Sequence, residues 1–165
     1  MKGISIGIVC IALIFALGGQ VSAQGQITTT GTNYGASTMT FSPMDQDHWV
    51  AEVEQLGVRV DDTGKGPFHL LSTDIKMIMY GEKAGVQYYG YETHVDKDGD
   101  KIIWEIWGLP NSNKGKGKII ASTGKFAGAE GTVDFELLNP PKGFPEGTTR
   151  TVCREYMKIV LKAPL

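Results

Sequence analysis

The sequence predicts an all-β protein, a single small antiparallel β-barrel of about eight strands. Three observations carry that prediction. Residues 92–107, ETHVDKDGDKIIWEIW, form two alternating segments joined across Asp98-Gly99, and an Asp-Gly pair between such segments is a strong hairpin signal. Residues 122–137, STGKFAGAEGTVDFEL, place Gly124, Gly128 and Gly131 around Phe126 as a close-packed corner before another alternating run. Apolar residues nowhere recur at helical spacing with caps over a dozen positions, whereas turn signals come at short intervals.

Taken in order, residues 1–23 read as a signal peptide. Lys2 precedes the apolar run 4–17, which is too short to span a bilayer, and Val21-Ser22-Ala23 supplies an A-x-A-like end. Cleavage after Ala23 leaves no expected membrane span. Residues 24–37 are rich in Gly, Thr and Gln with almost nothing apolar, so a flexible leader is expected there, with the barrel domain at 38–165. Strands are expected from Met39 onward: at 49–60, with a bulge at Gly57, at 68–80, 86–95 and 102–107, and at 117–121, 132–138 and 149–161. Pro140, Pro141 and Pro145 exclude 139–148 from a central strand and make it a loop.

The chain has 165 residues, 16 basic and 18 acidic, for a formal charge of −2. Loss of Lys2 makes it one unit more negative. That balance argues against nucleic acid, which calls for a basic patch. Of the two cysteines only Cys153 lies beyond the signal segment, so no internal disulfide is expected; it falls on the buried stripe of the last strand as an inert thiol. Secretion or periplasmic residence follows from the signal peptide.

If Asp98-Gly99 is a two-residue turn, Glu92 faces Glu105, His94 faces Ile103 and Thr93 faces Trp104. Two glutamates then stand opposite each other, which destabilises a strand pair by tenths of a kcal/mol to about one. Either that face is wet or bridged, with Arg154 or Lys158 of the last strand as the cation, or it faces a lumen where one carboxyl keeps its proton. The second case supplies an acid and a base, with His94 two residues along, so Glu92, Glu105 and His94 are the candidate catalytic residues. Tyr88, Tyr91, Trp104 and Trp107 offer aromatic surface for a flat apolar ligand, and also suit a packed core. Glu155 interrupts the stripe Thr151, Cys153, Met157, Ile159, Leu161, and needs an ion pair or a lumen role.

Other chemistries find less support. Asp96, Asp98 and Asp100 begin like a calcium loop, but Lys101 and Trp107 occupy the positions that need Gly and Glu. The glycines of the corner lack the Lys-Ser/Thr and following helix of a phosphate loop. No Gly-x-Ser-x-Gly elbow is present. His48, His69 and His94 lie on three separate predicted strands, and their spacing does not test convergence on a metal. No metal and no cofactor are expected.

The hairpin at 96–101 and the corner at 123–131, TGKFAGAEG, resemble the allene oxide cyclase and dirigent-like barrels and their bacterial exported relatives. The matching residues cover roughly a third of the chain after the signal segment. The resemblance implies an eight-stranded, calycin-like antiparallel barrel, often oligomeric, with an apolar lumen. Plant members cyclise an unsaturated fatty acid epoxide or steer coupling of phenoxy radicals, but the corner motif is structural in that family and their catalytic residues find no match at positions here, so the resemblance carries over no catalytic residue. The expected function is therefore binding of a hydrophobic or aromatic small molecule in the lumen. An isomerase, cyclase or lyase without cofactor is the alternative, and an envelope component with a filled core is the third. A homo-oligomer is the expected protein partner.

Overall fold

The computed structural model describes residues 25–82, 85–109, 112–138 and 147–162. The expected signal segment 1–23 lies outside these, and so does the expected proline loop 139–148 except for residues 147 and 148, which belong to the last strand. Eight strands run β1 (Gly25–Pro43), β2 (Trp49–Asp61), β3 (Leu71–Glu82), β4 (Gly85–Val95), β5 (Lys101–Gly108), β6 (Lys114–Ser122), β7 (Glu130–Leu137) and β8 (Gly147–Leu161). Each pairs antiparallel with its sequence neighbour, and β1 pairs with β8 to close the barrel. The all-β, eight-stranded barrel is the architecture that the turn spacing predicts.

The expected flexible leader is instead part of β1, which at 19 residues is the longest strand. Its composition is misleading because its inward face is polar or small from Thr29 to Ser37, with apolar Ile27, Met39 and Phe41 only toward the ends. A Cβ on Gly31 would lie 2.7 Å from the Arg59 guanidinium carbon, and one on Gly35 would lie 2.6 Å from the Gln55 amide nitrogen. The glycines make room for long polar side chains from β2, so small residues here mark a contact rather than a loose chain. Gly57 is small for the same reason and not because of a bulge. There β1 and β2 pair without a register shift, and a Cβ would press on Asn33 and Thr73. The irregularity in the sheet lies elsewhere, opposite Ile103 and Trp104, where β6 bulges.

One end of the barrel is plugged. Phe68, in the loop before β3, and Phe126, in a short 3-10 turn at 124–126, are both buried and stack with ring centres 5.6 Å apart. Leu71, Ile102, Ile159 and Leu161 pack around them. Lys125 then ties this corner to the β4–β5 hairpin through Asp96 and through Asp98 at 3.4 Å, while its backbone N–H donates to Asp100 at 3.1 Å. The acidic hairpin and the glycine corner are thus two halves of one clasp.

The hairpin itself is longer than a two-residue turn. Gly99 N–H donates to Asp96 O and Asp96 N–H donates to Asp100 O, leaving Lys97, Asp98 and Gly99 as the loop. Gly99 alone has positive φ there, at 88°. This is a type I turn followed by a left-handed glycine, stabilised by the Asp96 carboxylate accepting from Asp98 and Asp100 N–H. The extra residue slips the register by one. Glu92 faces Trp104, Tyr91 faces Glu105 and His94 faces Ile102. The expected Glu92/Glu105 pair does not form, because a one-residue slip sends every β5 side chain to the opposite face.

Truncating the plug and loosening the clasp should differ in size. Phe126→Ala is expected to cost about 3–5 kcal/mol in urea unfolding, and Lys125→Ala less, about 1–2 kcal/mol, since Lys125 is only partly buried but leaves the nearly buried Asp96 carboxylate without its cation.

Candidate lumen site

The inward face of this barrel changes character along its axis. Above the aromatic plug lies a buried polar layer. Arg59 of β2 donates through Nε to Glu155 Oε2 of β8 at 3.0 Å, and through its terminal nitrogens to the Phe68 carbonyl at 2.5 Å, Asp61 at 3.4 Å and Thr29 at 3.4 Å. Asn33 of β1 donates to Glu92 Oε1 of β4 at 2.8 Å and accepts from Thr73 of β3 at 3.0 Å. His94 lies on the same face of β4 with Nε2 3.0 Å from Glu92 Oε1, although its N–H is not aimed well enough for a hydrogen bond. Glu92, His94 and Glu155 each bring one polar atom within 4.8 Å of the others, and all three are buried.

Above that layer is a partly open cavity of about 90 Å³. Its floor includes Glu92, Glu155, Asn33 and Gln55, and its walls include Met39, Met77, Met79, Tyr88, Ile106 and Phe135. The lining runs toward the end where β1 turns into β2. An apolar cup thus ends on two carboxyl groups.

Burial, then the charge of Glu92, push the Glu155 carboxyl up to about 7, against the opposing pull of His94 and Arg59. For His94, burial disfavours a charged ring, and the Glu92 carboxylate more than offsets this, raising it above the ordinary histidine value. Trp104 Nε1–H donates to His94 Nδ1 at 3.3 Å, which fixes the neutral ring with its hydrogen on Nε2, toward Glu92. The same contact decides against a metal. A ligating Nε2 leaves the proton on Nδ1, where it needs an acceptor. Here Nδ1 faces an indole N–H, a second donor, so the Glu-His-Glu set does not fit a metal despite its composition.

The structure divides the sequence-derived candidates. Glu92, His94 and Glu155 converge in the lumen, Tyr88 lines the cavity, and Trp104 lies buried behind His94. Glu105 is outside: it pairs with Lys118 of β6 at 2.7 Å and accepts from Tyr89, and those contacts, Lys118 first, lower its pKa. Lys118, not Arg154 or Lys158, is the bridging cation. Tyr91 is exposed on the outer face beside Tyr89, with ring centres 5.9 Å apart, and Trp107 pairs with Tyr89 on that face, so neither reaches the lumen. His48 is exposed and held by Asp45 at 2.8 Å, and His69 lies in the loop at the opposite end; the three histidines do not meet. Burial also pushes the Cys153 thiol far up, consistent with an inert thiol.

Sequence reasoning missed Arg59, Asn33 and Gln55. The signal was present in strand parity: Ala51, Val53, Gln55, Gly57, Arg59 and Asp61 alternate on one face of β2, and the first two mark that face as inward.

A raised carboxyl pKa binds more protons in the folded state than in the unfolded one. Its stabilisation is complete below the unfolded value near 4.5 and is lost as pH rises through about 7. Through Glu155 alone, stability is therefore expected to fall between about pH 4.5 and 7 with a slope of at most about 1.4 kcal/mol per pH unit, and the raised His94 adds to the fall above the ordinary histidine value. Glu155→Gln should flatten that limb in urea titrations at several pH values.

No family model matches the sequence, and no curated protein matches it. Solved structures do. The structure is similar to the pterocarpan synthase dirigent protein GePTS1 with a TM-score of 0.54 and 10% identity, over 85% of this chain and 88% of that one. It is similar to the pterocarpan synthase dirigent protein PsPTS1 with a TM-score of 0.52 and 12% identity, over 86% of this chain and 97% of that one. At such identities the likeness concerns backbone alone, and it shows that this chain adopts the dirigent-like barrel fold.

Proposed function

We propose that this protein is an exported barrel, secreted or periplasmic, that binds a hydrophobic or aromatic small molecule in its lumen. The observation that carries this reading is the apolar cavity ending on Glu92 and Glu155. Small-molecule sites are concave and mostly apolar, with a few polar groups that fix orientation. The volume of about 90 Å³ is below the roughly 150 Å³ that admits a benzene ring, so a ligand must displace wall residues. Met39, Met77 and Met79 are suited to that, because unbranched thioethers repack easily. The barrel likeness to proteins described as pterocarpan synthases supports a small-molecule role. Self-association belongs to the same proposal, with exposed Tyr34, Leu56 and Val58 as its outer surface.

A second reading, turnover by an isomerase, cyclase or lyase without cofactor, is favoured by one observation. Burial pushes the Glu155 carboxyl up to about 7 where it converges with Glu92 and His94, so Glu155 can hold the proton that a general acid donates. Glu155 would protonate a carbonyl or leaving oxygen at the cavity floor, and Glu92 would take a proton from carbon.

Native mass spectrometry of the protein isolated from its own source should show a co-purifying small molecule that is recovered unchanged after long incubation. A protein without ligand, and without mass change in aromatic extracts, would count against binding. Appearance of a new species that is slowed at least about 100-fold by Glu92→Gln would establish turnover instead.

A further inference from the structure

The hydrogen-bonding capacity left over in the cavity indicates what kind of molecule it takes. Most polar side chains at its floor are used among themselves. Asn33 is engaged at both ends, Ser37 donates to Gln55 Oε1 at 2.8 Å and shares a hydrogen bond with Thr151 at 2.6 Å, and Glu155 accepts from Arg59. Two buried polar atoms of cavity-lining residues are left without a partner among the described residues, Gln55 Nε2 and the Tyr88 hydroxyl, and a ligand that displaces wall side chains would uncover them. Gln55 is only 2% exposed, so its free N–H groups are not answered by bulk water. Gln55 Nε2 is a donor only, and the Tyr88 hydroxyl, which can also accept, is a donor too. Tyr88 remains one, since burial raises its phenol pKa well above the ordinary value.

An unsatisfied buried donor is costly, and an acceptor brought by a ligand relieves that cost. The charge around the floor says which acceptor. Glu92 and Glu155 line it, with Asp61 behind. Among the described residues the cavity lining contains no lysine or arginine, and the nearby Arg59 is already held by Glu155, Asp61, Thr29 and the Phe68 carbonyl. A carboxylate or sulfonate would enter beside two carboxyl groups with no free cation to receive it.

Building on the lumen-binding reading, we infer that the ligand is a neutral molecule that offers an uncharged oxygen acceptor, a ketone or related carbonyl on an apolar ring, to Gln55 Nε2 and the Tyr88 hydroxyl. The lumen discriminates against free acids of the same shape. This separates it from a carrier of fatty or aromatic acids, for which the same apolar walls would serve.

Three single-ring probes of nearly equal size test this: acetophenone, benzoate and ethylbenzene. Each is titrated near neutral pH into the whole exported protein carrying ¹³C-labelled methionine methyls, so that shifts at Met39, Met77 and Met79 report lumen occupancy. Acetophenone is expected to bind at least tenfold more tightly than benzoate and about three- to tenfold more tightly than ethylbenzene. Gln55→Leu should lower acetophenone affinity to the ethylbenzene level and leave ethylbenzene unchanged. If that variant does not fold, Tyr88→Phe makes the same comparison. Benzoate binding as well as acetophenone, or ethylbenzene matching it, would overturn the inference while leaving a ligand-binding lumen. Failure of all three to shift the methionine methyls would remove the lumen-binding reading itself.

Discussion

The register of the β4–β5 hairpin governs the whole interior. Side chains alternate between the two faces of a strand, so one extra residue in the turn decides whether β5 sends Trp104 or Glu105 inward. The Asp96 carboxylate, the left-handed Gly99 and the Lys125 clasp together select the longer turn. With that turn, Trp104 packs behind His94 and fixes its tautomer, while Glu105 is released to Lys118 on the surface. A hairpin at the rim therefore sets the protonation chemistry of a site some residues away.

The polar layer is expensive for a small barrel. Replacing a buried ion pair by well-packed apolar residues is often neutral or stabilising, so Arg59 with Glu155 is poor evidence for stability alone. The surroundings compensate locally. Arg59 is bound on four sides, and Glu92 accepts from an Asn33 that is itself oriented by Thr73. Glycines on β1 are what let those side chains lie flat against the wall. Most groups of the layer are paired, but among the described residues His94 Nε2, Gln55 Nε2 and the Tyr88 hydroxyl are buried without a hydrogen-bond partner, a cost that the lumen binding proposed above would relieve at Gln55 and Tyr88.

The barrel was legible in the sequence because its signals are local: turn residues, proline exclusion and alternation in β4, β5, β7 and β8. That Glu92 and His94 share one face of β4, and that Glu155 falls on the stripe of β8 read as buried, was legible too, since parity within one strand needs no partner; whether the Glu92 face points inward was not. Pairing between strands was not legible, because DKDG admits two turns and the choice is made by Lys125, 25 positions beyond Asp100 in a different corner. β1 was hidden for a related reason. From 29 to 37 its inward residues are Thr, Gly, Asn, Gly and Ser, which composition assigns to a flexible leader, and only the long side chains of β2 explain them.

Cross-strand backbone NOEs across the hairpin in the labelled protein read this register without an intermediary. A three-residue loop predicts contacts that pair Glu92 with Trp104 and His94 with Ile102. Contacts pairing Glu92 with Glu105 and His94 with Ile103 would place the β5 carboxylate in the lumen, remove Trp104 from His94 and contradict the site described above.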